Sequence, residues 1–334
     1  IYYKSFLRSA FMSMDPHTGA VKAYVGGIDY DHFKYDMVMG GRRQVGSTIK
    51  SFLYALAMQN GMTPCTTLRN VQHSYGGWTP RNGSHARYGQ QVPLKWALQH
   101  SNNWISASLI TTLGPQQFVG ILHDFGLNNP DIDRNATPVL SLGPCEVSVG
   151  EMVSAYTAFA NGGVRCAPLF VTKIEDSHGN VIAKFQPLMT EVISEDNSYR
   201  MIDMMRAVID GGTGSRLKGA YGMKGDICGK TGTTNSNSDG WFIAFTPELV
   251  SGAWVGGEDR DIHFDTMLHG QGASMALPIW TKYMVKVLGD KSLGYDENET
   301  FQLPEGYDPC KDDVNLEGDT HIEEPIEGLD ELFN

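Results

Sequence analysis

The place where hydrophobic periodicity changes constrains this sequence most. Residues 11–14 and 21–25 have strand composition and flank Asp15-Pro16-His17-Thr18-Gly19, with Pro and Gly where a turn needs them. A long stretch of helical spacing follows. One helix is predicted to begin near Ser47 and run through Phe52, Leu53, Ala55, Leu56 and Met58; others fit residues 93–100, 105–113 and 115–125. Ser148-Val149-Gly150-Glu151 is a capping box, opening a helix that stops at Asn161-Gly162-Gly163. A further helix over residues 197–209 stops at Gly211-Gly212. Strand composition then returns at 227–233, 240–245 and 250–255, with a Thr246-Pro247-Glu248 turn, before an amphipathic helix over 276–288. In this order the late strands and last helix can return to the first hairpin. That gives a mixed α+β architecture, a sheet with a helical insert.

The chain has 334 residues, 41% hydrophobic and 10% aromatic, enough for a substantial core in one large domain or two ordinary ones. Its formal net charge of -12 argues against a nucleic-acid binder and against docking on anionic lipid. That charge is uneven. Residues 291–334 hold 14 acidic and 2 basic residues, which leaves 24 of each sign in residues 1–290. The expected division is therefore a neutral body, 1–290, and an acidic C-terminal tail, 291–334, solvated and partly extended against the body near 301–306.

No run of about 18 apolar residues is present, so no membrane-spanning helix is expected. The start, Ile1-Tyr2-Tyr3-Lys4, is neither an initiator Met nor a signal peptide, so the chain reads as a piece of something longer. Cys65, Cys145, Cys166, Cys228 and Cys310 show no CxxC spacing and no paired histidines, which disfavours a structural zinc site. Their odd number excludes complete intramolecular pairing, and buried free thiols are expected.

Three short segments carry chemistry. In Gln44-Val45-Gly46-Ser47-Thr48-Ile49-Lys50, Gly46 lets the backbone turn into a helix whose free N–H groups favour negative charge at Ser47. Lys50 lies three residues on, on the same face. It can serve as a base for the Ser47 hydroxyl only if burial or nearby positive charge lowers its pKa from about 10.4 toward 7–8. A helix cap followed by a surface lysine is the plainer alternative. Ser101-Asn102-Asn103 falls between two helices, where Ser101 could relay a proton and Asn103 could orient Lys50 or a substrate amide; an ordinary N-cap is the alternative. Gly229-Lys230-Thr231-Gly232-Thr233-Thr234 reads as a strand edge against which a substrate backbone can pair, with Lys230 supplying positive charge; an ordinary polar strand is the alternative.

Taken together, S-x-x-K, S-x-N and K-T-G in this order resemble the motifs shared by penicillin-binding proteins and class A β-lactamases. The resemblance extends to Met14-Asp15-Pro16-His17-Thr18-Gly19-Ala20-Val21-Lys22-Ala23, to residues 146–163 and to Trp241-Phe242-Ile243-Ala244-Phe245-Thr246-Pro247-Glu248-Leu249-Val250, and covers roughly residues 9–288. In these segments the chain is similar to class A penicillin-binding protein transpeptidase domains. The resemblance implies a β-lactamase/transpeptidase-like fold: a central antiparallel sheet, flanking helices and a helical subdomain. It implies Ser47 as nucleophile, Lys50 as its base, and Ser101 with Lys230 passing a proton to a leaving D-alanine. Asn103 would position the substrate amide. The strand from Thr231 through Gly232 and Thr233 to Thr234 would bind substrate, Thr231 and Thr233 holding its terminal carboxylate. The oxyanion hole would be the backbone N–H groups of Ser47 and Thr233.

The substrates implied are peptidoglycan stem peptides, a D-Ala-D-Ala donor and an amine acceptor, with β-lactams as covalent inhibitors. No metal or organic cofactor is implied. The complete protein would lie at the extracytoplasmic face of the cytoplasmic membrane, with a glycosyltransferase domain and an anchor upstream. One departure is Ser51, where the family usually has proline; little catalytic effect is expected. Two rival readings share the motifs. A class A β-lactamase needs a glutamate-bearing loop, and no convincing Glu-x-x-Leu-Asn lies between Asn103 and Lys230. A penicillin-sensing or scaffold domain would keep the serine without efficient turnover. Gly211-Gly212-Thr213-Gly214 lacks a P-loop lysine and reads as a helix-ending loop.

Overall fold

The first hairpin and the late strands meet in one sheet. The structure is a computed structural model that describes residues 3–313. Strand β1 (Arg8–Met14) and β2 (Val21–Val25) form the early hairpin. Next come α1 (Lys50–Gln59), α2 (Leu94–Gln99), α3 (Asn103–Leu113), α4 (Pro115–Asp124), α5 (Val149–Ala160) and α6 (Glu195–Gly211). Strands β3 (Cys228–Thr233), β4 (Asp239–Phe245) and β5 (Val250–Gly256) follow, then α7 (Leu277–Gly289). The sheet runs β3-β4-β5-β1-β2 with every neighbour antiparallel. Strand β1 sits inside it, paired to β5 from Arg8↔Gly256 to Met14↔Val250 and to β2 through Phe11↔Val25. This is the α+β architecture implied by the resemblance.

Both faces of the sheet are covered, which is why β4 and β5 are buried along their whole length. On one side Phe52 of α1 packs with Tyr156 and Phe159 of α5 and with Phe125, in a core that also holds Trp241 and Trp254. On the other, Trp280 and Leu277 of α7 pack on Phe11 and Phe242.

Boundaries differ from expectation where a cap decides them. Asn102 accepts from the Ile105 N–H at 3.0 Å, so α3 opens at Asn103, and Ser194 caps α6 through Asn197. The Ser148–Glu151 capping box is formed in both directions. Short strands Lys173–Glu175 and Val181–Lys184 form a hairpin not anticipated from periodicity.

Beyond α7 the chain lies along the body. Phe301 packs on Phe245 with ring centroids 5.7 Å apart, and its N–H donates to Asp226 at 3.1 Å. Tyr307 meets Tyr199 at 5.4 Å and its hydroxyl donates to Asp196 at 3.0 Å. Cys310 is disulfide-bonded to Cys65, and Thr63 donates to Asp313 at 2.7 Å. The expectation of free thiols thus holds for Cys145, Cys166 and Cys228, all buried, and is corrected for the other two. Sequence gave no reason to pair residues 245 positions apart. For residues 314–334 the expectation of a solvated acidic tail lies outside the described residues.

Candidate active site

Ser47 does not open the α-helix directly. It lies in a tighter 3-10 turn, Gly46–Ile49, and α1 begins at Lys50. The cause is the approach of β3. Gly46 has φ +54°, and a Cβ there would lie 2.7 Å from the Thr233 carbonyl oxygen, so only glycine fits. Gly232 is pressed equally hard, with the Val45 oxygen 2.7 Å from where its Cβ would be. The turn bearing Ser47 is thereby seated on the strand bearing Lys230. Below it, the Tyr156 hydroxyl donates to the Thr48 carbonyl at 2.7 Å and lies 3.0 Å from Ser51 Oγ.

Lys50 is wholly buried. Its Nζ donates to the Ser101 carbonyl at 2.7 Å and to Asn103 Oδ1 at 2.5 Å, and lies 3.4 Å from Ser101 Oγ. Burial, then the charge of Lys230, holds its pKa well below the ordinary lysine value. A neutral amine that gives its two hydrogens to those two acceptors keeps its lone pair for a proton. Lys230 is also wholly buried; its Nζ donates to Ser101 Oγ at 3.0 Å and to the Thr231 carbonyl at 3.1 Å, and burial lowers its pKa to about 7.

Ser101 owes its place to how α2 ends. The Ser101 N–H bonds to Leu98 O at 3.0 Å and the Asn102 N–H to Ala97 O at 2.8 Å, the two bonds of a Schellman stop. That stop puts its first residue beyond the cap in the left-handed region, where glycine is usual. Here it is Ser101, at φ +52°. A hydroxyl is kept at a position whose backbone favours its absence. Asn103 follows at the start of α3, with its N–H on Asn82 Oδ1 at 2.9 Å and its Nδ2 on the Arg81 carbonyl at 2.6 Å.

Strand β3 is an edge of the sheet. Thr231 Oγ1 is 2.6 Å from Thr213 Oγ1, and Thr233 Oγ1 accepts the Gly272 N–H at 3.0 Å. The Thr234 hydroxyl is committed to Asp239, which is itself buried on Arg43 Nε at 2.7 Å and Trp254 Nε1 at 3.0 Å. The structure thus gathers Lys50, Ser101, Asn103 and Lys230 in direct contact, sets Ser47 and Gly232 where the turn meets the strand, and leaves Thr234 in a structural network. Sequence reasoning missed Thr213, Asn82 and Gly272. Gly211-Gly212-Thr213-Gly214 does end a helix, and the same glycines let Thr213 reach β3; nothing in its pattern marked that destination.

A family model described as penicillin binding protein transpeptidase domain matches residues 9–253. The chain belongs to that family. Among penicillin-binding protein relatives, penicillin-binding protein 1A of Neisseria meningitidis serogroup A is 33% identical over 318 residues, covering 92% of this chain and 38% of that protein. Penicillin-binding protein 1A of Aquifex aeolicus is 34% identical over 304 residues, covering 89% of this chain and 40% of that protein. The chain therefore spans about two fifths of the length of these curated relatives. The solved structure of penicillin-binding protein 1A from Haemophilus influenzae superposes with a TM-score of 0.80 at 29% identity, over 89% of this chain and 49% of that one. PonA1 from Mycobacterium tuberculosis, in complex with penicillin V, gives a TM-score of 0.74 at 26% identity, over 89% of this chain and 81% of that one.

Proposed function

We propose that this penicillin-binding transpeptidase domain is a serine D,D-transpeptidase of peptidoglycan synthesis. The carrying observation is the convergence of two buried lysines, Lys50 and Lys230, on one serine hydroxyl, Ser101. Ser47 Oγ attacks the penultimate D-alanine carbonyl of a donor stem peptide, and its proton passes to the Lys50 amine. Backbone N–H groups of Ser47 and Thr233 hold the oxyanion; one such donor is typically worth about 2.7–4 kcal/mol. The C–N bond to the terminal D-alanine breaks, and the leaving nitrogen is protonated from Lys230 through Ser101. An acceptor stem-peptide amine then attacks the acyl-enzyme ester, returns a proton to the site and frees Ser47. The donor backbone lies along the β3 edge, Thr231 and Thr233 hold its carboxylate, and Asn103 orients its amide. A β-lactam acylates the same serine, with the expelled nitrogen still tethered to the opened ring.

The relatives' greater length supports a longer protein, and the family resemblance implies a glycosyltransferase and an anchor upstream and work at the extracytoplasmic face. The Cys65–Cys310 disulfide fits that oxidising compartment. The test is mass spectrometry with peptide mapping after incubation with penicillin. The expected adduct maps to the peptide containing Ser47 and is absent in Ser47→Ala; an adduct elsewhere overturns the assignment. Release of D-alanine from a D-Ala-D-Ala peptide, with a penicillin adduct that is lost slowly, separates a transpeptidase from a β-lactamase and from a sensor.

A further inference from the structure

Between Met37 and His123 the sequence contains no Asp or Glu, in a chain that has 38 of them, yet it contains seven Lys and Arg. Four have work already. Arg42 pairs with Glu151, Arg43 with Asp239 and Lys95 with Asp203, while Lys50 is in the site. The other three, Arg69, Arg81 and Arg87, are exposed and enter no salt bridge among the described residues.

Two of these three flank the turn that carries Ser101. The backbone carbonyl of Arg81 accepts from Asn103 Nδ2 at 2.6 Å. The Arg87 guanidinium lies 5.2 Å over the Trp96 ring, and that ring is 4.7 Å from His100, the residue before Ser101. The loop that carries them is firmly held. Asn70 Nδ2 donates to the carbonyls of Ala86 and Arg87 at 3.0 and 3.1 Å, and its Oδ1 accepts from Asn102 at 2.9 Å. Trp104 donates to the Pro80 carbonyl at 3.1 Å. Arg81 and Arg87 are thus exposed cations, in no salt bridge among the described residues, on a loop whose backbone is held against residues 102 and 103. Their guanidinium forks suit a carboxylate.

We infer that the 70–90 loop is a carboxylate-recognition arm, in which Arg81, supported by Arg87, binds an anionic side chain of the donor peptide upstream of its reacting D-alanine pair. This rests on the transpeptidase reading above. There the terminal carboxylate belongs to β3, so an anion met at this loop comes from another residue of the donor.

The test uses two donor peptides ending in D-Ala-D-Ala, identical except that one has a side-chain carboxylate upstream and the other the matching carboxamide. The kcat/KM for D-alanine release is measured for each with the whole chain, and labelling by penicillin serves as the check that each variant is folded. The wild type should prefer the carboxylate by about tenfold, as one charge-assisted contact predicts, and rising salt should narrow the gap. R81E should abolish or invert the preference, and the R81A/R87A double variant should bring it within about twofold. A preference that survives both variants, or equal turnover of both peptides by the wild type, overturns the arm and leaves the transpeptidase reading intact. If penicillin labels Ser47 but neither peptide is turned over, the transpeptidase reading fails and the arm falls with it.

Discussion

Lys50 and Lys230 share one hydroxyl: both are wholly buried, and their Nζ atoms lie 3.4 and 3.0 Å from Ser101 Oγ. Two ammonium groups so placed cannot both keep a full charge without water, so the pair gives up a proton near neutrality. With Lys50 already neutral, acylation by penicillin should therefore fall as pH rises through about 7, where Lys230 gives up the proton that it passes to the expelled nitrogen. A stopped-flow or labelled-penicillin rate profile reads this directly; a flat profile from pH 5 to 8, a window of about three units, contradicts it.

The same burial makes Lys230 a stability burden. Below about 7 it is charged folded and unfolded, and the folded state bears the desolvation penalty. As pH climbs from there toward the ordinary lysine value of 10.5, the unfolded chain keeps a proton that the folded one has released, so stability rises. Lys230→Met should thus stabilise the protein by about 1–3 kcal/mol at pH 6, with the advantage shrinking toward pH 10, while slowing acylation at least about 100-fold. Urea melts at the two pH values measure the first effect.

Ser101 stands where a Schellman stop favours glycine. Comparing Ser101→Gly with Ser101→Ala isolates the backbone effect, because both remove the hydroxyl and only glycine relieves the positive φ. The glycine variant should be the more stable by about 1 kcal/mol. Both should acylate far more slowly than wild type, with equal deficits.

Thr213→Val keeps the shape beside Thr231 and removes its hydrogen-bonding partner. The Thr231 hydroxyl then loses its fixed orientation in the cleft. The expected result is a fall of about 3–10-fold in the second-order acylation rate, the scale of one hydrogen bond, with thermal stability little changed. An unchanged rate would mean that the Thr213 contact does not matter to the reaction.

Reduction, or Cys310→Ser, should lower unfolding stability by about 2–4 kcal/mol, because the bond closes a very long loop in the unfolded chain. Peptide mapping without reductant should find residues 65 and 310 in one fragment.

Much of the candidate site was legible because its motifs are local. Ser47 and Lys50 lie three residues apart, Ser101 and Asn103 two, and the helix start, interhelical turn and late strand were each readable from caps, glycines and alternation. The early hairpin, the capped α5 and strands β3 to β5 were legible for the same reason: turn chemistry and periodicity act within a few residues. What was hidden joins distant segments. Nothing near Thr213 announces Thr231, nothing near Arg81 announces Asn103, and Cys65 carries no sign of Cys310. Ser101 was visible as a candidate, but its left-handed backbone was not, because that depends on how the preceding helix closes.

The position of β1 inside the sheet sets an order of events during synthesis. Its partner on one side, β2, follows at once, whereas β5 emerges only after nearly all the helices have been made. Until then β1 presents an open edge, and the Ser47 turn has no strand to lean on, because β3 is equally late. Ser47 is thus among the first parts of the candidate site to be made and among the last to be seated. Cys310 arrives later still, so its bond to Cys65 can close only after every strand of the sheet has been made.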